Sequence, residues 1–388
     1  MQKPIYLDYC ATTPLDPRIL PEMLPWFSEQ FGNPANLTHA YGREALLAVH
    51  RARERIAALI GAKATEIFFT SGASESNNLV FKGLAHLAPE KNQVMTVATE
   101  HKSVLCSAQA MAERGFDVEI LPVDSQGRVN LERLSAQISE KTALVSVMAV
   151  NNEVGTLQPI EEIGKICTER QVLFHCDAVQ AGGKLPINVD DLKIDLLSLS
   201  AHKMYGPKGV GCLYLRQKSP AIPLRACIEG GGQEFGLRAG TLNVPAIVGF
   251  GLAAEWARSE QTEELARLKL LRQRLWEGIQ AGVSEVKLSC DLDKSSPAIL
   301  HLCFGGLKKG KLVGQLKDLA VSTGSACSSG SGKASYVLDA MGLPESQMDN
   351  PVRFSLGRFT QEEEIEMAIQ AVIRTIQTLR ENPSRIPF

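Results

Sequence analysis

Between residues 66 and 215 the chain alternates short, almost wholly apolar runs with segments of helical periodicity, and few folds accept that pattern. The runs EIFFT (66–70), QVMTVAT (93–99), DVEILPVD (117–124), TALVSVMAV (142–150), QVLFHCDAV (171–179), DLLSLSA (195–201) and GVGCLYL (209–215) read as strands. A strand with no polar face must be covered on both sides. Helical segments between the strands supply the cover, among them SESNNLVFKGLAHL (74–87) and SVLCSAQAMAERG (103–115), the latter closed by Gly115. Another helix is expected from Thr38 to Ala62, with Ala45, Leu46, Val49, Ile56, Ala57 and Ile60 on one stripe. The pattern predicts an α/β fold with a mostly parallel sheet wrapped by helices.

After about Pro245 the texture changes. Val248 to Gly282 reads as one or two long charged helices. The short strands VKLSC (286–290) and PAILHLCF (297–304) follow, then a helix, a Ser/Gly-rich stretch and an amphipathic helix, TQEEEIEMAIQAVIRTIQTLR (360–380). We expect a large domain over 14–258 and a smaller α+β domain from 259–388, with residues 1–13 packed against it. At 388 residues, two units agree with a prior of roughly 150 residues per domain.

Lys plus Arg is 41 and Asp plus Glu is 43, a net charge of −2, so no basic field draws in nucleic acid or anionic lipid. No apolar stretch approaches the ~18 residues of a membrane span, and MQKPIYLDYC at the start lacks the apolar centre of a signal peptide. The nine cysteines are odd in number and none forms a C-x-x-C pair. A disulfide framework and a metal site are therefore not expected, and the pattern suits a reducing cytoplasm.

Three strand ends carry candidate chemistry. SLSAHK (198–203) puts a His-Lys pair where open α/β sheets bind ligands. Lys203 fits either a solvated surface cation or, beside an apolar strand end, a Schiff-base amine. Asp177 closes VLFHCD and fits either a helix cap or the carboxylate that a pyridinium nitrogen requires. Gln180, three positions on, would then meet the ring's phenolic oxygen. TSGASESN (70–77) joins a strand to a helix and fits either a plain capped helix or a phosphate cradle. Neither G-x-x-x-x-G-K-[ST] nor G-x-G-x-x-G is present there.

The segments FTSGASESNN, TEHKSV (99–104), NNEVGTLQPI (151–160), HCDAVQ (175–180), SLSAHKMYGPKGVG (198–211), GLRAGTLNV (236–244), TGSACSSGS (323–331) and VRFSLGRFT (352–360) resemble, in order, the cysteine desulfurases of the NifS/IscS type. Those belong to the class V aminotransferase group of fold-type I pyridoxal-phosphate enzymes. The resemblance runs from YLDYCATTP (6–14) to the last helix. It implies pyridoxal 5'-phosphate joined to Lys203, with Asp177 at the ring nitrogen, Gln180 at the ring oxygen and His101 stacked on the ring. Ala73, Ser74, Ser200 and His202 would hold the phosphate, Ser74 standing where many relatives carry Thr. Thr241 would reach the phosphate of a neighbouring subunit, implying a homodimer with composite sites. Asn152 and Arg353 would grip the substrate carboxylate, Asn152 also facing the cofactor.

Cys327 lies in STGSACSSGSG (322–332), where eight of eleven residues are Ser or Gly. Such a stretch is expected to be mobile, and a cysteine there is no core filler. The resemblance implies that Lys203 moves the α-proton of L-cysteine and that the Cys327 thiolate takes the substrate sulfur as a persulfide, leaving L-alanine. His101 is a candidate acceptor for the thiol proton. The persulfide would pass to acceptor proteins such as an iron–sulfur scaffold. A selenocysteine lyase or a cysteine C–S lyase of the same fold is the alternative.

Overall fold

Alternate residues of the central strands go to opposite faces of one sheet. A computed structural model describes residues 3–86, 89–324, 335–344 and 348–381. Its largest sheet has seven strands: β2 (Ile67–Thr70), β3 (Gln93–Val97), β4 (Asp117–Leu121), β5 (Thr142–Ser146), β6 (Leu173–Asp177), β7 (Leu196–Ser200) and β8 (Gly211–Leu215). A preceding strand, β1 (Ile5–Tyr6), lies elsewhere. The sheet order is β2-β8-β7-β6-β5-β3-β4. All neighbours are parallel except β8, which runs antiparallel to both β2 and β7. Phe69, Val97, Val145, Phe174, Leu197 and Tyr214 enter the core on one face, and Phe68, Val94, Leu144, Leu196 and Leu213 that on the other. That is the period of two a pleated strand imposes.

Helices cover both faces, as the apolar runs require. The chain first forms two short helices, α1 (Ile19–Met23) and α2 (Pro25–Ser28), then α3 (Ala40–Ile60). The next four are α4 (Ala73–Leu84), α5 (Lys102–Ala112), α6 (Leu131–Gln137) and α7 (Ile160–Glu169). Leu79, Val80 and Phe81 of α4 and Val104, Ala108 and Met111 of α5 fill one side, and α3 and α7 the other. The charged segment expected as one or two helices is a single helix, α8 (Val244–Gly282), of 39 residues. At about 1.5 Å per residue it is roughly 58 Å long. Its first turns pack on α3. There Gly251 permits the close approach, because a Cβ at that position would sit 2.5 Å from the Ala52 Cα.

The expected boundary at 258/259 falls inside α8. Beyond α8, β9 (Val286–Leu288), β10 (Ile299–Phe304) and β12 (Pro351–Ser355) form a three-stranded antiparallel sheet in the order β12-β10-β9. β1 pairs in parallel with β11 (Leu319–Ala320). A short helix, α9 (Tyr336–Ala340), and the closing α10 (Glu362–Glu381) complete the elements. The helix expected before the Ser/Gly-rich stretch does not form, and a 3-10 turn at Val313–Gln315 stands there instead. Four glycines at 305, 306, 310 and 314 explain it. Each costs about 1 kcal/mol in a helix interior, and Gly306 and Gly310 take φ values of +71° and +73°. No helix among the described residues is long and apolar enough to cross a membrane.

Candidate active site

The carboxyl ends of the parallel strands and the loops that leave them surround a cavity of about 510 Å³. Ala73, Ser74, His101, Asn152, Asp177, Gln180, Ser200, His202, Lys203 and Arg353 all line it. Residues 73 to 353 are thus gathered from the β2–α4, β3–α5, β5–α7, β6–β7 and β7–β8 connections and from β12. Thr241 is not in this lining and is exposed to solvent. Cys327 lies outside the described residues, and so does the expectation attached to it.

Lys203 ends the 3-10 turn Ala201–Lys203 that follows β7. Its Nζ donates to the carbonyls of Cys10 and Ala11, the latter at 2.8 Å. The N-terminal segment therefore closes over the amine. Burial depresses the Lys203 pKa from 10.5 to about 8; Lys184 and Arg353 push the same way, against Cys10 and Asp8.

Asp177 is the last residue of β6 and is buried. Its Oδ1 accepts the Val179 N–H at 3.1 Å, and its Oδ2 accepts from Asn77 Nδ2 at 2.8 Å. The backbone then turns and brings Gln180 beneath the cavity. Gln180 Nε2 donates to the Cys10 carbonyl at 3.0 Å, and its Oε1 accepts from Lys184 Nζ at 3.2 Å. Lys184 is itself buried, and burial lowers its pKa.

His101 caps α5: its Nδ1 accepts the Ser103 N–H at 3.2 Å and lies 2.8 Å from Ser103 Oγ. Burial lowers its pKa. The Nδ1 of His202 lies 3.1 Å from Thr12 Oγ1. Burial holds the His202 pKa down to about 4, helped by Lys203 and Lys208.

Another part of the lining could cradle an anion. The first N–H groups of a helix have no intrahelical partner, and Ala73 and Ser74 of α4 bring theirs to the cavity. Gly72 before them has a φ of +155°, a conformation side chains rarely adopt. Arg353, 1% exposed, donates from Nη1 to the Asn152 carbonyl and from Nη2 to Asp8 Oδ1, both at 2.6 Å. Arg353 Nε and Asn152 Oδ1 are buried with no partner among the described residues.

Sequence reasoning missed Lys184, Asn77, Ser103 and Asp8 as parts of this site. Asn77, Ser103 and Asp8 lie inside quoted motifs but carry no residue-type signal of their own. Lys184 reads as an ordinary lysine until the turn after Asp177 folds it under Gln180.

The fold and this strand-end cavity define an α/β enzyme-like site with a masked amine, a buried carboxylate and an anion cradle. A family model described as "Aminotransferase class-V" matches residues 5–367, and the chain belongs to that family. It is 51% identical over 382 residues to a protein named "Cysteine desulfurase IscS" from Anaeromyxobacter sp. (strain Fw109-5), covering 98% of this chain and 94% of that protein. A solved structure titled "NIFS-LIKE PROTEIN" superposes with a TM-score of 0.90 at 38% identity, over 97% of this chain and 100% of that one. Another, "SspA in complex with cysteine", gives 0.80 at 40% identity, over 92% of this chain and 99% of that one.

Proposed function

We propose that the chain is a pyridoxal 5'-phosphate-dependent cysteine desulfurase, converting L-cysteine to L-alanine and supplying the sulfur to iron–sulfur assembly and other thio-cofactors. The residues fit the cofactor. The α4 N-terminus with Ser200 and His202 suits a phosphate, Asp177 suits a pyridinium nitrogen, and Gln180 Nε2 suits a ring oxygen. The unpaired Arg353 Nε and Asn152 Oδ1 suit the carboxylate and amine of an amino acid. The observation that carries the reading is a pKa-depressed amine, Lys203, in one cavity with a buried carboxylate and an unpaired guanidinium nitrogen.

When bound, the cofactor supplies an electron sink for the bonds broken at the substrate. Lys203 does the proton work. With a pKa of about 8, about half of its amines are neutral at that pH, against about 0.3% for an ordinary lysine. The neutral Lys203 amine is the group that would hold the cofactor's aldehyde carbon and, when free, would take the proton from the substrate α-carbon. Asp177 is the carboxylate that would meet the ring nitrogen. Cys327 then receives the sulfur: the substrate C–S bond breaks, an S–S bond forms, and the proton lost by the Cys327 thiol matches the one gained at the product methyl.

The assembly belongs to the same reading. Leu20, Leu24, Phe27, Phe31 and Leu47, on or beside α1, α2 and α3, are all exposed. Exposed apolar side chains of that kind suit a protein interface, and we assign them to a homodimer in which Thr241 reaches the partner's phosphate site. The packing of residues 1–13 with 259–388 is supported by β1 pairing with β11, while the proposed boundary at 258/259 is crossed by α8. Cytoplasmic residence and transfer of the persulfide to an iron–sulfur scaffold complete the proposal.

Replacing Cys327 by Ser tests it. The holoenzyme variant should lose alanine formation from cysteine. Continued turnover with pyruvate as product would make it a C–S lyase instead.

A further inference from the structure

The two ring nitrogens of His101 have unlike surroundings. Nδ1 accepts a backbone N–H, that of Ser103, at 3.2 Å. An N–H donor needs a lone pair, so the neutral ring carries its proton on Nε2. Ser103 Oγ, 2.8 Å from Nδ1, accepts from Asn77 Nδ2 at 2.9 Å. With Nδ1 unprotonated, the 2.8 Å contact is a hydrogen bond only if the Ser103 hydroxyl donates to it, and the Asn77 amide fills an acceptor site on the same oxygen. The same Asn77 nitrogen donates to Asp177 Oδ2 at 2.8 Å. Asn77 is fully buried. Flipping its amide would turn an oxygen onto the Asp177 carboxylate, so the carboxylate fixes the amide's orientation. Asn77 Oδ1 is left without a partner among the described residues, and that cost is accepted to keep the amine end on Asp177 and Ser103.

We propose that Asn77 and Ser103 are positioning residues that lock His101 in its Nε2–H form, so that His101 serves the reaction as a fixed hydrogen-bond donor and not as the proton acceptor. The inference rests on the desulfurase reading for its meaning, but its geometry stands without it. A proton on Nδ1 would remove the acceptor of the Ser103 N–H and uncap α5. If Nε2 kept its proton as well, the ring would be a cation at the positive end of that helix. Burial opposes the cation as well. Of the charged groups around the ring, Asp177 and Glu153 favour the cation, and Lys203 and Lys102 oppose it. The expectation that His101 accepts the thiol proton is therefore replaced: the nitrogen with the lone pair is turned away, into the helix cap.

The test is two-bond 1H–15N correlation on the 15N-histidine-labelled holoenzyme, with His101 assigned by its absence in His101→Gln. The expected result is the Nε2–H pattern from about pH 6 to about pH 9. An Nδ1–H pattern or a doubly protonated ring in that range overturns the proposal. In Ser103→Ala an Nδ1–H population should appear and kcat should fall about five-fold, the worth of one hydrogen bond, with KM little changed. Ser103→Thr should restore both. A Ser103→Ala protein with the parent ring pattern and parent kcat removes Ser103 from the account. The ring pattern is read without turnover, so its failure is separate from any failure to make alanine.

Discussion

A lysine is a nucleophile only while it is neutral, and at the residue scale the site is organised to raise the neutral fraction of Lys203. Burial is the main cause, and the buried Lys184 ammonium adds to it. The sign is definite: a depressed pKa means the protonated form is the disfavoured one, so reactivity rises with pH through about 8 rather than through 10.5. We predict that pyridoxal phosphate adds to the cofactor-free protein with a pH midpoint near 8, followed by visible absorbance. Lys184→Met removes a neighbouring positive charge and should raise that midpoint by up to about one pH unit. A midpoint unmoved by the substitution would separate Lys184 from the amine. Lys203 and Asp177 were legible in the sequence because one follows and the other ends an apolar strand, where an α/β sheet places its ligands. Lys184, Asn77 and Asp8 were not. Their significance lies in contacts such as Asn77 to Asp177, 100 positions apart, and Asp8 to Arg353, 345 apart, which no local pattern encodes.

At the element scale, helices set the distances. α4 offers its N-terminus to the cavity only because Gly72 turns the chain between β2 and the helix. α8 lies against α3 only because Gly251 lacks a side chain facing the Ala52 backbone. Gly251→Ala should therefore destabilise the protein by about 1–3 kcal/mol, read as a lower urea midpoint, while leaving the Lys203 pH midpoint unchanged. Unaltered stability would mean that the two helices separate freely. Strands and most helices were readable from periodicity, since burial on one or both faces leaves a period of 3.6 or a solid apolar run. The helix misread before the Ser/Gly-rich stretch shows the limit. Leu307, Leu312 and Val313 are apolar, but the glycines among them prefer turns, and the strand Leu319–Ala320 is defined by its partner β1, some 314 residues away in sequence.

At the scale of the whole molecule, the proposed second subunit would account for the exposed apolar side chains and for Thr241 lying outside the cavity lining. Phe27 and Phe31 are 62% and 64% exposed, far from the expectation for phenylalanine. The protein should sediment as a dimer, and Phe27→Asp combined with Phe31→Asp should shift it toward monomer with loss of activity. A parent protein that sediments as a monomer at micromolar concentration would remove the composite site from the account. The central claim is narrower still: among the lysines around the cavity, one amine alone joins the cofactor. The direct measurement is borohydride reduction of the protein with pyridoxal phosphate, followed by peptide mapping. We predict the reduced label on Lys203. A label on Lys184 or Lys208, or no label at all, would contradict it.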